Sequence, residues 1–148
     1  MRKLLSTLVA IGAFIAVAQA KTDFKSPAED SSYIYIYRTG QFSGALANFT
    51  IWVDDVKLCK LSNSRYFKIG VKPGTHVVSA KRSGVGIAKK ETEVSVDCVA
   101  GKSNYVSCTM KSSVIRVRLN MEEVIEKTGM NEISSMKVDN CQGSVEDQ

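Results

Sequence analysis

The stretch FTIWVDDVKLCKLSNSRYFKIGVKPGTHVVSAK, residues 49–81, decides the class of fold. Phe49, Ile51 and Val53 alternate with Thr50 and Trp52, Asp54-Asp55 interrupts them, and Val56 and Leu58 resume the alternation. A period of two marks a half-buried strand, and two such runs around a short acidic break read as a hairpin. A second turn is expected at Asn63-Ser64, after which Tyr66, Phe67, Ile69 and Val71 lead to Lys72-Pro73-Gly74. There Pro presets φ and Gly supplies the positive φ of a type II turn, so a fourth strand begins near His76-Val77-Val78. Four short strands joined by three turns follow from local chemistry alone.

The same pattern extends outward in both directions. A first strand is expected over Ser32–Arg38, and a loop containing Gly40 and Gly44 follows it. Beyond residue 81, Thr92, Val94, Val96 and Cys98 alternate with Glu93, Ser95 and Asp97, and two more strands are expected at 104–110 and 114–119. Short strands at this spacing predict an all-β fold, an antiparallel β-sandwich of about seven to eight strands. A short C-terminal helix closes the chain. Asn120 is its expected N-cap, Glu122 and Glu123 favour the first turn, Val124 and Ile125 face inward, Lys127 lies in the last turn and Gly129 is the C′ residue.

The order of these elements resembles the DUF2846 family. The resemblance rests on the aromatic strand Ser32-Tyr33-Ile34-Tyr35-Ile36-Tyr37-Arg38, the Val53-Asp54 turn, the Tyr66-Phe67 strand and the Pro73-Gly74-Thr75-His76 turn. It continues through Ala100-Gly101-Lys102-Ser103-Asn104-Tyr105-Val106 to about Asn120, and there is a more distant likeness to PEGA-type sandwiches. It implies a secreted or envelope β-domain, and it brings no catalytic residues with it.

Residues 1–20 have the three parts of a cleaved signal peptide: basic Arg2-Lys3, an apolar run from Leu4 to Val17, and the small-x-small site Ala18-Gln19-Ala20. The apolar run is shorter than the roughly 20 residues that span a bilayer. No cysteine follows the cleavage site to carry a lipid, so a periplasmic or secreted protein is expected, with no transmembrane helix after signal removal. Residues 21–31 read as a flexible leader, 32–141 as one β-sandwich domain and 142–148 as a disordered tail. Of the formal charge of +5, Arg2 and Lys3 supply two, which leaves +3 on the mature chain. With no basic stripe interleaved with aromatics, that excludes a nucleic-acid binder.

Cys59, Cys98, Cys108 and Cys141 all lie in the exported part, where disulfides persist. A tight Gly101-Lys102 turn sets Cys98 against Tyr105 and leaves Cys108 out of reach, whereas a longer loop sets Cys98 against Cys108. The favoured pairing is Cys98 with Cys108 and Cys59 with Cys141. No Cys-x-x-Cys occurs and His76 is the one histidine, so neither a metal site nor a cofactor is expected.

Catalytic signals are equally sparse. His76 follows a Pro-Gly turn, where a structural role bonded near that turn is expected. Asp54 and Asp55 are adjacent turn residues rather than a dyad, and Ser83-Gly84-Val85-Gly86 lacks the remainder of a phosphate loop. Two surfaces remain as binding candidates. Lys81, Arg82, Lys89 and Lys90 flank the glycine loop and suit an anionic envelope polymer, lipid head group or acidic partner. Tyr33, Tyr35 and Tyr37 share one face of the first strand and Ile34 and Ile36 the other; either face suits the core, and exposed tyrosines would form a platform for glycan or peptide, which Arg116 and Arg118 extend. The leading expectation is a non-enzymatic exported domain that binds an envelope component or protein partner. An inhibitor or immunity-type protein acting on a secreted enzyme is the alternative, and a small hydrolase a weaker one.

Overall fold

A computed structural model describes residues 29–42, 45–82, 92–112 and 117–140. The expected signal peptide (1–20), residues 21–28 of the expected leader, Ser83–Gly86, Lys89, Lys90, Arg116, Cys141 and the expected tail (142–148) fall outside these. Among the described residues, nine strands and one helix form in the order β1 (Ser32–Arg38), β2 (Phe49–Val53), β3 (Val56–Leu61), β4 (Arg65–Val71), β5 (Gly74–Arg82), β6 (Thr92–Cys98), β7 (Ser103–Ser112), β8 (Val117–Val124), α1 (Glu126–Ile133) and β9 (Lys137–Val138). One sheet has the order β8-β7-β1-β4-β9 and the other β3-β2-β5-β6. Their facing side chains, among them Ile34, Ile36, Phe67 and Val106 from one sheet and Phe49, Ile51, Val78 and Val96 from the other, form a single buried cluster. Each such side chain contributes about 1.5–3 kcal/mol on leaving water. The all-β sandwich is therefore as expected, with a two-residue strand, β9, added at one edge.

The turns of residues 49–81 do different jobs. Asp54 (φ 49°) and Asp55 (φ 68°) both adopt the left-handed conformation between paired Val53 and Val56, as a two-residue type I′ hairpin turn requires. The next two turns join no hairpins. β3 and β4 lie in opposite sheets, as do β4 and β5, so the Asn63-Ser64 and Lys72-Pro73 segments carry the chain across the sandwich. The sheets are also not wholly antiparallel: β1 pairs with β7, and β4 with β9, in parallel. These pairings join strands far apart in sequence, which strand periodicity cannot reveal.

The helix begins later than Asn120. Residues 120–124 extend β8, where Asn120 pairs with Thr109 and Val124 with Tyr105. Cross-strand bonding there overrides a good N-cap and two acidic residues. Ile125 is the actual N-cap residue and is largely exposed, and Gly129 lies inside the helix rather than beyond it. Gly129 is buried against Tyr105: a Cβ at this position would lie 2.5 Å from the Tyr105 Cβ and Cδ1 atoms. Its role is close approach, and it lets α1 cover the outer face of the five-stranded sheet.

That cover corrects the tyrosine platform. β1 is the central strand of its sheet; Ile34 and Ile36 enter the sandwich core, while Tyr35 and Tyr37 pack with Tyr66, Tyr105 and Ile133 in a second buried cluster beneath α1. Tyr35 stacks on Tyr105 with ring centroids 4.9 Å apart. Both faces of the strand are core, and only Tyr33 keeps partial exposure.

The Cys98–Cys108 bridge is corrected as well. Both are free, buried thiols. Residues 99–102 carry the chain from β6 in one sheet to β7 in the other, so neither a tight nor a loose hairpin forms. Cys98 lies beside the Ser32 hydroxyl, and Cys108 pairs with Arg38 at the other end of β1. Six residues of strand separate those ends by roughly 20 Å, against an upper limit of about 7 Å between bridged Cα atoms.

Candidate binding cleft

β3 is an edge strand of its sheet. β4 is next to the edge of the other, and its neighbour β9 pairs only with Arg65 and Tyr66. Among the described residues, the same flank of the sandwich beyond those two positions therefore presents two strand edges, one above the other. Val56 and Leu58 on β3, and Ile69 and Val71 on β4, wall a cleft of about 480 Å³ between them. That volume lies within the range of small-ligand sites, and apolar walls with a few polar groups are their usual chemistry.

The polar groups stand at one end. Asp54 belongs to the β2–β3 turn, Lys72 to the segment crossing between sheets, and His76 to β5; all three line the cleft. The His76 Nδ1 atom is 2.6 Å from Asp54 Oδ2, and its Nε2 atom is 2.7 Å from the Lys72 carbonyl oxygen. The other carboxylate oxygen of Asp54 accepts the Val77 backbone N–H at 2.9 Å. Both ring nitrogens thus face acceptors, an arrangement that only the doubly protonated imidazolium satisfies as a donor on each side. His76 ties the hairpin turn to the crossing segment, which gives its expected structural role a definite form.

Burial alone would lower the His76 pKa, but the bonds to Asp54 and the Lys72 carbonyl outweigh it and hold the pKa above 6.5. Burial would raise that of Asp54, yet the His76 and Val77 bonds hold it below 3.8. The histidine, with its raised folded pKa, stabilises the fold fully below 6.5 and loses that contribution as pH climbs through the raised value. The aspartate stabilises above 3.8 and loses its part as pH falls through the lowered one. Stability is thus expected to be greatest between about pH 4 and 6.5 and to decline on the alkaline side by about 1 kcal/mol or less, as suits a partly exposed pair. Urea midpoints at pH 5.5 and 8.5 test this. His76→Gln should remove the alkaline decline, and an unchanged decline in that variant would locate it elsewhere.

The other candidate residues lie away from this cleft. Lys81 is half-buried opposite Thr50 at the far end of β5, and Arg82 pairs through its backbone with Phe49. The described residues therefore do not unite the basic loop with the cleft. Burial pushes the Cys108 thiol up to about 12 and raises that of Cys98, so both stay protonated and are poor nucleophiles. Residue-by-residue reading missed the cleft because its walls look like ordinary strand positions. The one local sign was Gly70, a glycine amid an apolar run.

In class, this is a two-sheet β-sandwich with a covering helix and a cleft between two strand edges. Residues 28–120 match the family model described as "Protein of unknown function (DUF2846)", and the chain belongs to that family. It is also similar to an uncharacterized protein of Haemophilus influenzae, 24% identical over 115 residues. The alignment takes in 78% of this chain and 65% of that relative. Among the described residues no helix is long and apolar enough to cross a membrane, and no group of His, Cys, Asp and Glu gathers that could hold a metal ion.

Proposed function

We propose that this chain is an exported, non-catalytic β-sandwich domain that binds an envelope component or a protein partner through the cleft between β3 and β4. The observation that carries the reading is an apolar-walled cleft of about 480 Å³ opening between two strand edges. The occupation of the obvious chemical groups supports binding over catalysis. Both His76 nitrogens and both Asp54 oxygens are engaged within the fold, and the free thiols are buried. Export rests on residues 1–20 and predicts a mature N-terminus at Lys21, which N-terminal sequencing of the envelope fraction tests.

Within this proposal Cys59 and Cys141 form the disulfide. Asp139 supports it, because its carboxylate accepts the Ser62 backbone N–H at 2.6 Å and so brings the chain just before Cys141 to the end of β3. Thiol titration of the denatured, unreduced protein is expected to count two thiols, Cys98 and Cys108. A count of four would remove the bridge.

The binding reading is tested with Val56→Lys. Val56 is 47% exposed, so the change should alter stability by no more than about 0.5 kcal/mol while placing a charge in the cleft mouth. Envelope components retained by the wild-type chain should be lost from this variant. Equal retention by both would exclude the cleft as the binding surface.

A further inference from the structure

The edge of β4 has a directional character that the cleft alone does not explain. The Tyr66 carbonyl accepts the Asp139 N–H at 2.7 Å, so the peptide groups of Tyr66 point away from β1 and toward β9. Alternation along the strand then aims those of Lys68 and Gly70 to the same side, past the end of β9. Strand edges with outward N–H and C=O groups are templates for another strand, and proteins commonly guard them with exposed lysines or bulges. β3 is guarded in this way: Lys57 and Lys60 are exposed, and the β2–β3 register shifts at Ile51/Trp52. β4 is not. The Lys68 ammonium lies 4.7 Å from the Tyr33 ring centroid, and its charge is thereby drawn onto the sheet face, away from the edge.

Gly70 adds an independent observation. A Cβ there would meet the Tyr33 ring at 3.6 Å, an ordinary contact, and its φ lies outside the left-handed region. Neither packing nor backbone conformation requires glycine, although glycine within a strand costs about 0.5–1 kcal/mol relative to alanine. Where no bulge or bend accounts for it, a strand glycine is a common mark of close approach by a ligand or another backbone, and the β1–β4 pairing runs in unbroken register through Gly70.

We infer that the β4 edge at Lys68 and Gly70 accepts an extended segment of a partner protein as an added strand, with alternate apolar side chains of that segment entering the cleft. Three features select this occupant. β9 already adds to the same edge, so a further strand continues an existing interface. The cleft is walled by Val56, Leu58, Ile69 and Val71, which suit aliphatic or aromatic side chains at every second position. The outward peptide groups of Lys68 and Gly70 supply the main-chain bonds, and this division between backbone affinity and side-chain pockets is that of strand addition. The inference rests on the proposed binding role and specifies its partner.

The probe is a displayed library of linear peptides selected on the full mature chain, followed by hydrogen exchange with individual synthetic peptides. Selected sequences should alternate apolar and polar residues, and they should slow amide exchange of Lys68 and Gly70 at least tenfold. Gly70→Pro removes an outward donor while leaving the β1 ladder intact, and should weaken binding at least tenfold; Gly70→Ala keeps that donor and adds only a methyl where the partner backbone approaches, so it should weaken binding less than the Pro change. A native-like exchange pattern at the Ile34 and Ile36 amides checks that the Pro variant is folded. If that variant does not fold, a selected peptide N-methylated on its bonding edge serves instead and should likewise bind at least tenfold more weakly.

Peptides that bind without protecting Lys68 and Gly70, yet lose affinity to Val56→Lys, would overturn strand addition and leave cleft binding in place. Absence of any selected binder would remove both. Protection of these two amides in the peptide-free monomer would show the chain's own termini occupying the edge. A concentration-dependent dimer with the same protection would show a second copy there. Either result overturns the partner segment.

Discussion

Phe49→Ala is expected to destabilise the protein by about 3–5 kcal/mol, the cost of removing a large aromatic side chain from a close-packed core. Phe49 is 1% exposed and stands at the start of β2, paired with Leu61 on β3 and Arg82 on β5. Its ring also lies 4.8 Å from the guanidinium carbon of Arg38, which is itself completely buried. The Arg38 guanidinium donates to the Ala47 carbonyl and, at 3.3 Å, to the Met110 sulfur. Burial depresses the Arg38 pKa, so the aromatic face is part of what keeps the charged form tolerable. Phe49→Leu should therefore cost less than the alanine change but still about 1–2 kcal/mol, since it restores apolar volume without the ring. Urea denaturation of the three proteins measures both steps. Equal stability of the Phe49→Leu variant and the wild-type chain would show that the ring contact with Arg38 contributes nothing.

Gly129→Ala should destabilise by about 2 kcal/mol, although the same change in an open helix gains up to about 1 kcal/mol. The inversion of sign is the informative part. The added methyl falls on Tyr105 close to its backbone rather than at the end of a flexible side chain, so the strand or the helix has to move. Movement of α1 withdraws Met130 and Ile133 from the cluster of Tyr35, Tyr37, Tyr66 and Tyr105 that they cover. Near-ultraviolet circular dichroism should therefore lose intensity along with the denaturation midpoint. A Gly129→Ala protein as stable as wild type, with an intact aromatic signal, would refute the close helix contact.

Those two residues illustrate what can be read locally. Phe49 opens a run whose period-two pattern places it inside, and it is inside. Locally Gly129 reads as a helix terminator, because glycine past a short amphipathic run is the usual stop. Its actual cause lies 24 residues earlier in the chain, in Tyr105, and no local rule contains that contact. The two walls of the cleft were equally hidden: Val56 and Leu58 look like half of a hairpin, and Ile69 and Val71 like half of another. The cleft exists only because the intervening turn crosses the sandwich instead of folding back within one sheet.

The cysteines and tyrosines divide in the same way. Cys98 and Cys108 are ten residues apart, close enough in sequence to suggest a bridged hairpin, yet a parallel partner for β7 sends them to opposite ends of β1. Tyr33, Tyr35 and Tyr37 share a face as their spacing requires, but spacing cannot say that a helix will cover it.

By itself the sequence determined the all-β class, the strands of the 49–81 block, the chemistry of the Asp54-Asp55 turn and the family, because each depends on side-chain alternation or on the conformational preference of single residues. The tertiary structure alone decided which sheet each strand joins, which faces are buried and where two strand edges meet. Those outcomes depend on contacts between residues distant in the chain, and period-two alternation is the same whether the neighbouring strand is adjacent or seventy residues away.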